Sequence, residues 1–412
     1  MDFALAYTED QERFRKEVRT WLDENIPDEM RAPIDDSNSE TRDVPENVWK
    51  FWRQKHKEMG AKGWLFPTYP KEYGGGGLSA DHATIIEEEL TRARAIRSNS
   101  TNFVFDDLIV WGTEEQKQKF LKPMLLGEKT NHQKLTEPKG GADLANYQSR
   151  AVRDGDDWLL SGQSIFISAW GDEDYLPGPM LTDPEAPRHR NMGYFMIPNP
   201  SPGLTLTSLN LIHGSRQKIV TMDNVRVPAD HLIGGDHEGW QVMGTHLEAE
   251  HGGHGAAAPR AEEVENMVSY LKETKYNNGT LGEDLVTQQV AMEAVLEAHV
   301  QNLLVKRTFW MYQSHKPIQY EGNLSNVHGR ESGLRNAQRV REVYGMPGFL
   351  GVNEGTAPHG GAQEVSQRNA AGQRHAGGST NIAKVILARR IGISRTQERA
   401  ATTPSTAASS KS

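Results

Sequence analysis

The sequence predicts an α+β multidomain protein in which two helical domains flank a central β-domain. Three observations carry this prediction: apolar residues recur at helical spacing up to residue 130, short alternating segments with turn residues between them occupy 131–235, and long helical patterns resume over 236–399. A chain of 412 residues also exceeds the size of a single hydrophobic core. The tail at 400–412 has low complexity and is expected to be disordered.

The N-terminal domain is predicted to consist of helices that bury apolar stripes. Thr8 is a good N-cap, because Glu9 and Asp10 behind it suit the positive end of a helix. Thr113 has the same signature, with two glutamates after it. The predicted helices cover residues 8–22, 48–59, 78–92, 98–111 and 113–126.

The central domain is predicted to be barrel-like or sandwich-like. Alternation of apolar and polar residues predicts strands over 147–152, 158–162, 194–197 and 218–225. The turn sequence DGDD at 154–157 lies between the first two strands and predicts a hairpin.

The C-terminal domain is predicted to be a four-helix bundle. Helical patterns cover residues 240–249, 261–273, 285–312 and 332–343. The third pattern is too long and too regular for a loop-rich domain, so we expect neighbouring helices to bury its apolar residues.

Composition excludes several classes of function. A net charge of −9 leaves no basic excess for a nucleic-acid backbone. The chain has no cysteine, which excludes disulfides, thiolate metal sites and cysteine nucleophiles. No apolar run approaches the ~20 residues of a membrane span. Because the start of the chain lacks an apolar signal segment, we expect a cytoplasmic protein.

Three histidines near residue 250 raise the question of a metal site. His246, His251 and His254 stand five and three residues apart. Metal-binding histidines on a helix usually stand at i and i+4 instead. We therefore expect no metal here.

Three motifs carry a resemblance to a known family: WGTEEQKQKFLKPMLLGE at 111–128, LTEPKGGADL at 135–144 and RAVRDGDDWLLSGQSIFIS at 150–168. Together with the order of domains, they resemble the acyl-CoA dehydrogenase family of FAD enzymes, and the resemblance runs from about residue 5 to residue 395. It implies the acyl-CoA dehydrogenase fold, FAD as cofactor and an acyl-CoA substrate. It also implies an electron-transfer flavoprotein as acceptor and a homodimer or homotetramer, or a mixed complex of different subunits.

The resemblance assigns the flavin side of the site to the segment 135–168. Thr136 and Ser168 would supply hydroxyl groups, and Phe166 stands where the family commonly has tryptophan packed beside the flavin. Further cofactor contacts are implied at Leu135, Ala142, Ser379 and Asn381.

Two departures from the family pattern lie in the same segment. Ala142 replaces the serine of the usual Gly-Ser-Asp, and Ser164 replaces the lysine of the usual Gly-Gln-Lys. The first removes a hydroxyl that is expected near the cofactor phosphates.

The resemblance offers two positions for a catalytic base. Many members carry a glutamate near the C-terminus, but the matching position here is Gly377, which can offer only its backbone N–H to a thioester oxygen. A second branch carries the glutamate on the helix after the β-domain, where this chain has Glu250. Glu250 is our candidate base for removing an α-proton, while the alternative is a solvated or salt-bridged helix residue. Glu248 would point elsewhere on the helix and is the weaker candidate.

The match weakens where the family binds FAD across a subunit interface. The usual arginine of Tyr-x-x-x-Arg is Thr274 after Tyr270, and the later Gln-x-x-Gly-Gly matches 342–348 loosely. Two other functions therefore stay open: a non-catalytic partner subunit of a heteromeric dehydrogenase, and a flavin monooxygenase on the same fold, which needs no α-proton base.

Overall fold

The computed structural model of the chain describes residues 7–31, 45–98, 100–212, 216–251, 261–314, 316–351, 354–372, 374–375 and 377–394. These residues form two compact units, 7–249 and 250–394. The predicted disordered tail, His254 and the side chain of His251 lie outside the described residues. The predicted domain boundaries at 130 and 235 stay predictions.

The first unit begins with helices, as the apolar periodicity predicts. They are α1 Glu9–Asn25, α2 Glu46–Ala61, α3 Ala80–Arg92, α4 Phe103–Trp111, α5 Glu114–Gln116 and α6 Lys122–Leu125. A π-helical turn at Lys117–Leu121 joins α5 to α6. Thr8 and Thr113 are N-caps with complete capping boxes, as expected from their neighbours.

One helix of this group starts later than predicted. α4 begins at Phe103 rather than at residue 98. The backbone N–H of Thr101 donates to the carbonyl of Asn131 at 3.2 Å, so the residues before α4 pair with another segment instead of continuing a helix.

The same unit contains a mixed seven-stranded sheet. Its strands are β1 Arg150–Asp154, β2 Asp157–Ile167, β3 Tyr175–Leu181, β4 Met192–Pro198, β5 Leu204–Asn210, β6 Arg216–Pro228 and β7 Leu232–Ile233. The spatial order is β5-β6-β2-β1-β3-β4-β7, and only β1 and β3 pair in parallel. The predicted hairpin is confirmed, with Asp154 opposite Asp157.

The sheet does not close into a barrel, so that part of the prediction is wrong. Closure would require β5 to pair with β7, and within the described chain β7 pairs only with β4 through two residues. Side chains from both halves of the sheet share one core, which includes Leu160 of β2, Leu176 of β3 and Val225 of β6. The sheet therefore folds over its own apolar face.

The first unit ends in most of α7, Gly239–His251. Apolar residues of α7 join those of α4 and β4 in a further core, in which Val242 and Met243 are fully buried beside Leu108 and Tyr194. This core fixes the position of α7 against the sheet.

The second unit is helical. It contains the end of α7, then α8 Glu262–Glu273, α9 Leu285–Gln313, α10 Glu321–Tyr344, α11 Ala362–Gly372 and α12 Thr380–Arg390, with a small hairpin of β8 Lys275–Tyr276 and β9 Gly279–Thr280. A shared core joins α8, α9 and α10. α10 starts at Glu321 rather than at residue 332, because its first turns bury polar residues such as Asn323 and Ser325, which periodicity does not detect. Within the described chain, no helix has the length and apolar character that crossing a bilayer requires.

Candidate active site

The candidate base lies at the end of α7. Glu250 is half-buried, and no hydrogen bond or ion pair from the described residues engages its carboxylate. The other predicted base position, Gly377, lies in a turn directly before α12. Gly377 and Gly378 both have left-handed backbones, with φ of 57° and 80°.

These two positions converge in space. A Cβ placed on Gly377 would lie 3.5 Å from Oε1 of Glu250. A carboxylate from α7 therefore occupies the space beside position 377, where many members of the resembled family would have a carboxylate from the loop before the last helix. The Glu250 carboxylate therefore lies beside the position that has no side chain.

Arg330 of α10 is the third member of this group. Its guanidinium donates hydrogen bonds to the carbonyl of Gly377, at 2.9 Å, and to the carbonyl of Gly378. Burial lowers the pKa of Arg330, and the negative charge of Glu250 opposes this shift. We call Glu250, Arg330, Gly377 and Gly378 the Glu250 cluster. No motif or spacing in the sequence indicates Arg330.

The predicted flavin residues meet at the end of β2 in the first unit. The backbone N–H of Ile165 donates to the carbonyl of Thr136 at 2.8 Å, which holds the segment 135–137 against β2. Within the described chain no hydrogen bond engages the Thr136 hydroxyl. Ser168 accepts a hydrogen bond from Nε2 of Gln217 at 3.1 Å, so its own O–H still has a proton to donate.

The side chain of Phe166 is largely exposed to solvent and is not packed in a core. It lies in a register shift between Ser164 and Ile167, has φ of 61° and leaves 52% of its surface exposed. A left-handed backbone costs a bulky residue about 1–3 kcal/mol and is typical of functional sites. Two hydroxyls and an exposed aromatic face fit the needs of an isoalloxazine ring, which are an apolar wall and a few hydrogen-bond donors.

The remaining predicted cofactor residues differ in the atoms that they could offer to a ligand. Leu135 is buried, so its backbone is the part that can reach a ligand. Ala142 is exposed and offers only a methyl group. Ser379 is the N-cap of α12 and accepts from the N–H of Ile382 at 3.3 Å, and Asn381 is exposed in the first turn of that helix.

His246 belongs to a buried hydrogen-bonded group that the sequence did not indicate. Its Nδ1 lies 2.7 Å from Oδ2 of Asp107 on α4, and its Nε2 contacts Oε1 of Gln133. Both His246 and Asp107 are fully buried, and burial raises the pKa of Asp107. Among the described residues, no group of three or more potential ligands could hold a metal ion.

Tyr270 and Thr274, at the family's Tyr-x-x-x-Arg pattern, make structural contacts within the second unit. Tyr270 stacks on Tyr344, with ring centroids 4.2 Å apart and an interplanar angle of 16°. The N–H of Thr274 ends α8 by donating to the carbonyl of Tyr270 at 2.9 Å. Glu342 is exposed on α10.

Comparison with known proteins agrees with this architecture. The profile described as acyl-CoA dehydrogenase, N-terminal domain, matches residues 8–128, and the profile for the C-terminal domain of the same family matches residues 237–392. The chain is 27% identical over 394 residues to acyl-CoA dehydrogenase FadE26 of Mycobacterium tuberculosis, covering 93% of this chain and 96% of that protein.

Solved structures show the same fold over nearly the whole chain. The structure of the Tcur3481-Tcur3483 steroid ACAD aligns with a TM-score of 0.80 and 26% identity, covering 97% of this chain and all of that one. The ChsE4-ChsE5 complex from Mycobacterium tuberculosis aligns with a TM-score of 0.77 and 25% identity, covering 95% of this chain and all of that one. The protein described above is thus an oxidoreductase that belongs to the acyl-CoA dehydrogenase family.

Proposed function

We propose that this protein catalyses α,β-dehydrogenation of an acyl-CoA thioester with Glu250 as the base. The observation that carries the proposal is the position of Oε1 of Glu250, 3.5 Å from the point that a Cβ on Gly377 would occupy. This one carboxylate would then act as the base that the two branches of the family carry at different positions.

The chemistry demands a carboxylate with little water around it. The α-proton of a thioester is weakly acidic, so a base for this step depends on desolvation to become strong enough. Glu250 is already half-buried, and an acyl chain bound beside it would exclude further water. The negative charge of Glu250 acts on the neighbouring Arg330, where it opposes the lowering of the Arg330 pKa by burial.

The turn at Gly377 would stabilise the negative charge that develops on the thioester oxygen. A backbone N–H aimed at that oxygen lowers the barrier without needing a side chain. Arg330 holds the Gly377 and Gly378 carbonyls, which fixes the orientation of the turn. FAD, when bound, supplies N5 as the acceptor of the β-hydride.

The flavin would be held by residues of the segment 135–168 and of α12. Thr136 and Ser168 would hydrogen-bond the ring, and Phe166 would pack beside it. Leu135 and Ala142 would contribute from the same segment, and Ser379 and Asn381 from the start of α12. We propose FAD as the cofactor, and an electron-transfer flavoprotein as the acceptor that reoxidises it.

The anaerobic absorbance of the flavin tests this function. We expect the purified protein to be yellow and its flavin to bleach when a suitable acyl-CoA is added without oxygen. Glu250→Gln should keep the flavin and lose the bleaching. Glu248→Gln, two residues earlier on α7, is the matched control and should bleach like the wild type. Bleaching that persists in Glu250→Gln would show that another group is the base.

A second candidate function is that of a partner subunit in a heteromeric dehydrogenase. Two of the solved structures that this chain resembles are each named for two proteins, Tcur3481 with Tcur3483 and ChsE4 with ChsE5. In this chain Thr274 replaces the arginine that would reach FAD across an interface. A purified protein that gains flavin and bleaching only when it is co-expressed with a second dehydrogenase chain would favour this function.

Rapid aerobic reoxidation of the reduced flavin, together with a hydroxylated product, would instead indicate the flavin monooxygenase.

A further inference from the structure

Lys134 is a fully buried lysine without a carboxylate partner. None of its surface is exposed. Its Nζ makes three contacts, each at 3.4 Å, with the hydroxyl of Tyr147, the carbonyl of Pro179 and Sδ of Met180. No carboxylate of the described chain forms an ion pair with it. A buried charge whose direct contacts are all with neutral groups costs free energy of folding.

The acidic group whose charge acts on Lys134 is Glu137, and its carboxylate is hydrogen-bonded to other residues. Both carboxylate oxygens of Glu137 accept backbone hydrogen bonds, from Gln148 at 2.6 Å and from Ser149 at 2.9 Å. Burial lowers the pKa of Lys134 to about 8, and the charge of Glu137 opposes this shift. Lys134 therefore remains mostly protonated at neutral pH while its charge stays largely unneutralised.

Lys134 is next in sequence to the residues that are proposed to bind the flavin. It directly precedes Leu135 and Thr136, the residues that begin the flavin segment. Its backbone N–H donates to Pro177 of β3 at 2.8 Å, and its carbonyl accepts from the Tyr147 hydroxyl at 3.2 Å. The segment that carries Thr136 is thus fixed through the same residue that carries the buried charge.

Ser164 of β2 faces the same tyrosine. It is fully buried, and its hydroxyl opposes the rise in the pKa of Tyr147 that burial causes. Within the described chain, the Ser164 oxygen has no hydrogen bond of good geometry. Ser164 is also the position where the resembled family has lysine. In this chain the lysine reaches the core from the segment opposite β2.

We propose that Lys134 is a tuning residue whose buried positive charge favours the reduced, more negative state of the flavin and so raises its reduction potential. The inference rests on the proposed flavin role of Thr136. A charge in a low-dielectric interior acts on a neighbouring redox centre more strongly than a solvated one.

The test uses Lys134→Met, which keeps the length and removes the charge. Lys139→Met is the matched control, because Lys139 is exposed in the same segment. The bound flavin of Lys134→Met should have a more negative midpoint potential than wild type, and Lys139→Met should match wild type. The flavin-free Lys134→Met protein should also have a higher Tm, since an unpaired buried charge is gone. A merely structural lysine would give the opposite Tm change and leave the potential unmoved.

An exchange variant keeps the proposal testable if Lys134→Met does not retain flavin. Lys134→Ser combined with Ser164→Lys returns the ammonium to the same core from β2. Recovery of flavin with a potential near that of wild type supports the proposal, and failure to recover overturns it. A Lys134→Met protein with flavin at the wild-type potential also overturns it, while leaving the dehydrogenase function intact. If the wild type holds no flavin and shows no bleaching, both proposals fall.

Discussion

Glu250 and Gly377, the two candidate base positions, lie side by side although they are far apart in the chain. The side chain on α7 reaches the space beside a glycine whose backbone conformation is left-handed. The sequence indicated both residues through a family resemblance, but it could not indicate that they meet. Arg330, which lies on α10 and has no motif of its own, donates a hydrogen bond to the carbonyl of Gly377 beside them.

A carboxylate moved to position 377 should partly replace Glu250. In the background Glu250→Gln, the further change Gly377→Glu places a carboxylate in the same space. We expect partial recovery of anaerobic flavin reduction, because φ of 57° at residue 377 strains any side chain there. Gly377→Gln in the same background is the control of equal size. Equal rates for the Glu and Gln forms would show that a charge at this place does not matter.

Lys134 should make the stability of the flavin-free protein depend on pH in a defined window. Its pKa is about 8 in the folded protein and about 10.4 when unfolded, so the buried charge destabilises the fold below pH 8. Between these values the unfolded chain binds more protons, so stability rises with pH. Lys134→Met should be more stable than wild type at pH 7 by on the order of 3 kcal/mol.

Urea unfolding at pH 7 and at pH 10.5 measures this difference. The gap between Lys134→Met and wild type should shrink at the higher pH, because the wild-type lysine has lost its charge. Burial raises the pKa of the neighbouring Tyr147, so its phenol stays protonated over the same range. A gap of constant size would mean that the lysine does not titrate in this window.

At the scale of elements, the sequence predicts those that carry strong local signals. The capping residues Thr8 and Thr113, the long apolar pattern of α9 and the DGDD turn all predicted elements that the structure contains. β3 was missed because Pro177, Gly178 and Pro179 interrupt its alternation. It is a strand nevertheless because β4 pairs with it along its whole length.

The buried contact between α4 and α7 should be a major source of stability for the first unit. His246→Phe keeps a ring in the core but leaves the Asp107 carboxylate without its nearest partner. Removing one member of a buried pair costs about 3–5 kcal/mol, so we expect a loss of this size in chemical denaturation. His237→Phe is the control, because His237 is exposed just before the same helix. A loss within about 1 kcal/mol would show that the pair contributes little.

At the scale of the whole molecule, the order of helix, sheet and helix follows from the change in periodicity along the chain. The arrangement of the functional residues does not, because it depends on contacts between segments far apart in sequence. Glu250, Arg330 and Gly377 come from three such segments. Local pattern therefore predicted the architecture, and the family resemblance was needed to indicate the candidate base.

The second unit should associate with another subunit through α9. Met292, Leu296, Val300 and Leu303 follow one another at spacings of four, four and three, and each leaves more than 40% of its surface exposed. Such a stripe on a helix is typical of an interface. We expect light scattering to give the wild type the molar mass of a dimer or a larger assembly. The double variant Leu296→Glu with Val300→Glu should have a smaller molar mass. Unchanged mass in the double variant would place the interface elsewhere.

The rate of flavin reduction by acyl-CoA in an anaerobic stopped-flow experiment tests the central claim most directly. Acyl-CoAs of graded chain length and branching, including steroid side-chain types, would first identify the best substrate for the wild type. With that substrate, Glu250→Gln should bind FAD normally and reduce it about 10²–10⁴-fold more slowly, the range expected for loss of a general base. A flavin-loaded Glu250→Gln protein that is reduced at the wild-type rate would contradict the assignment of Glu250 as the base.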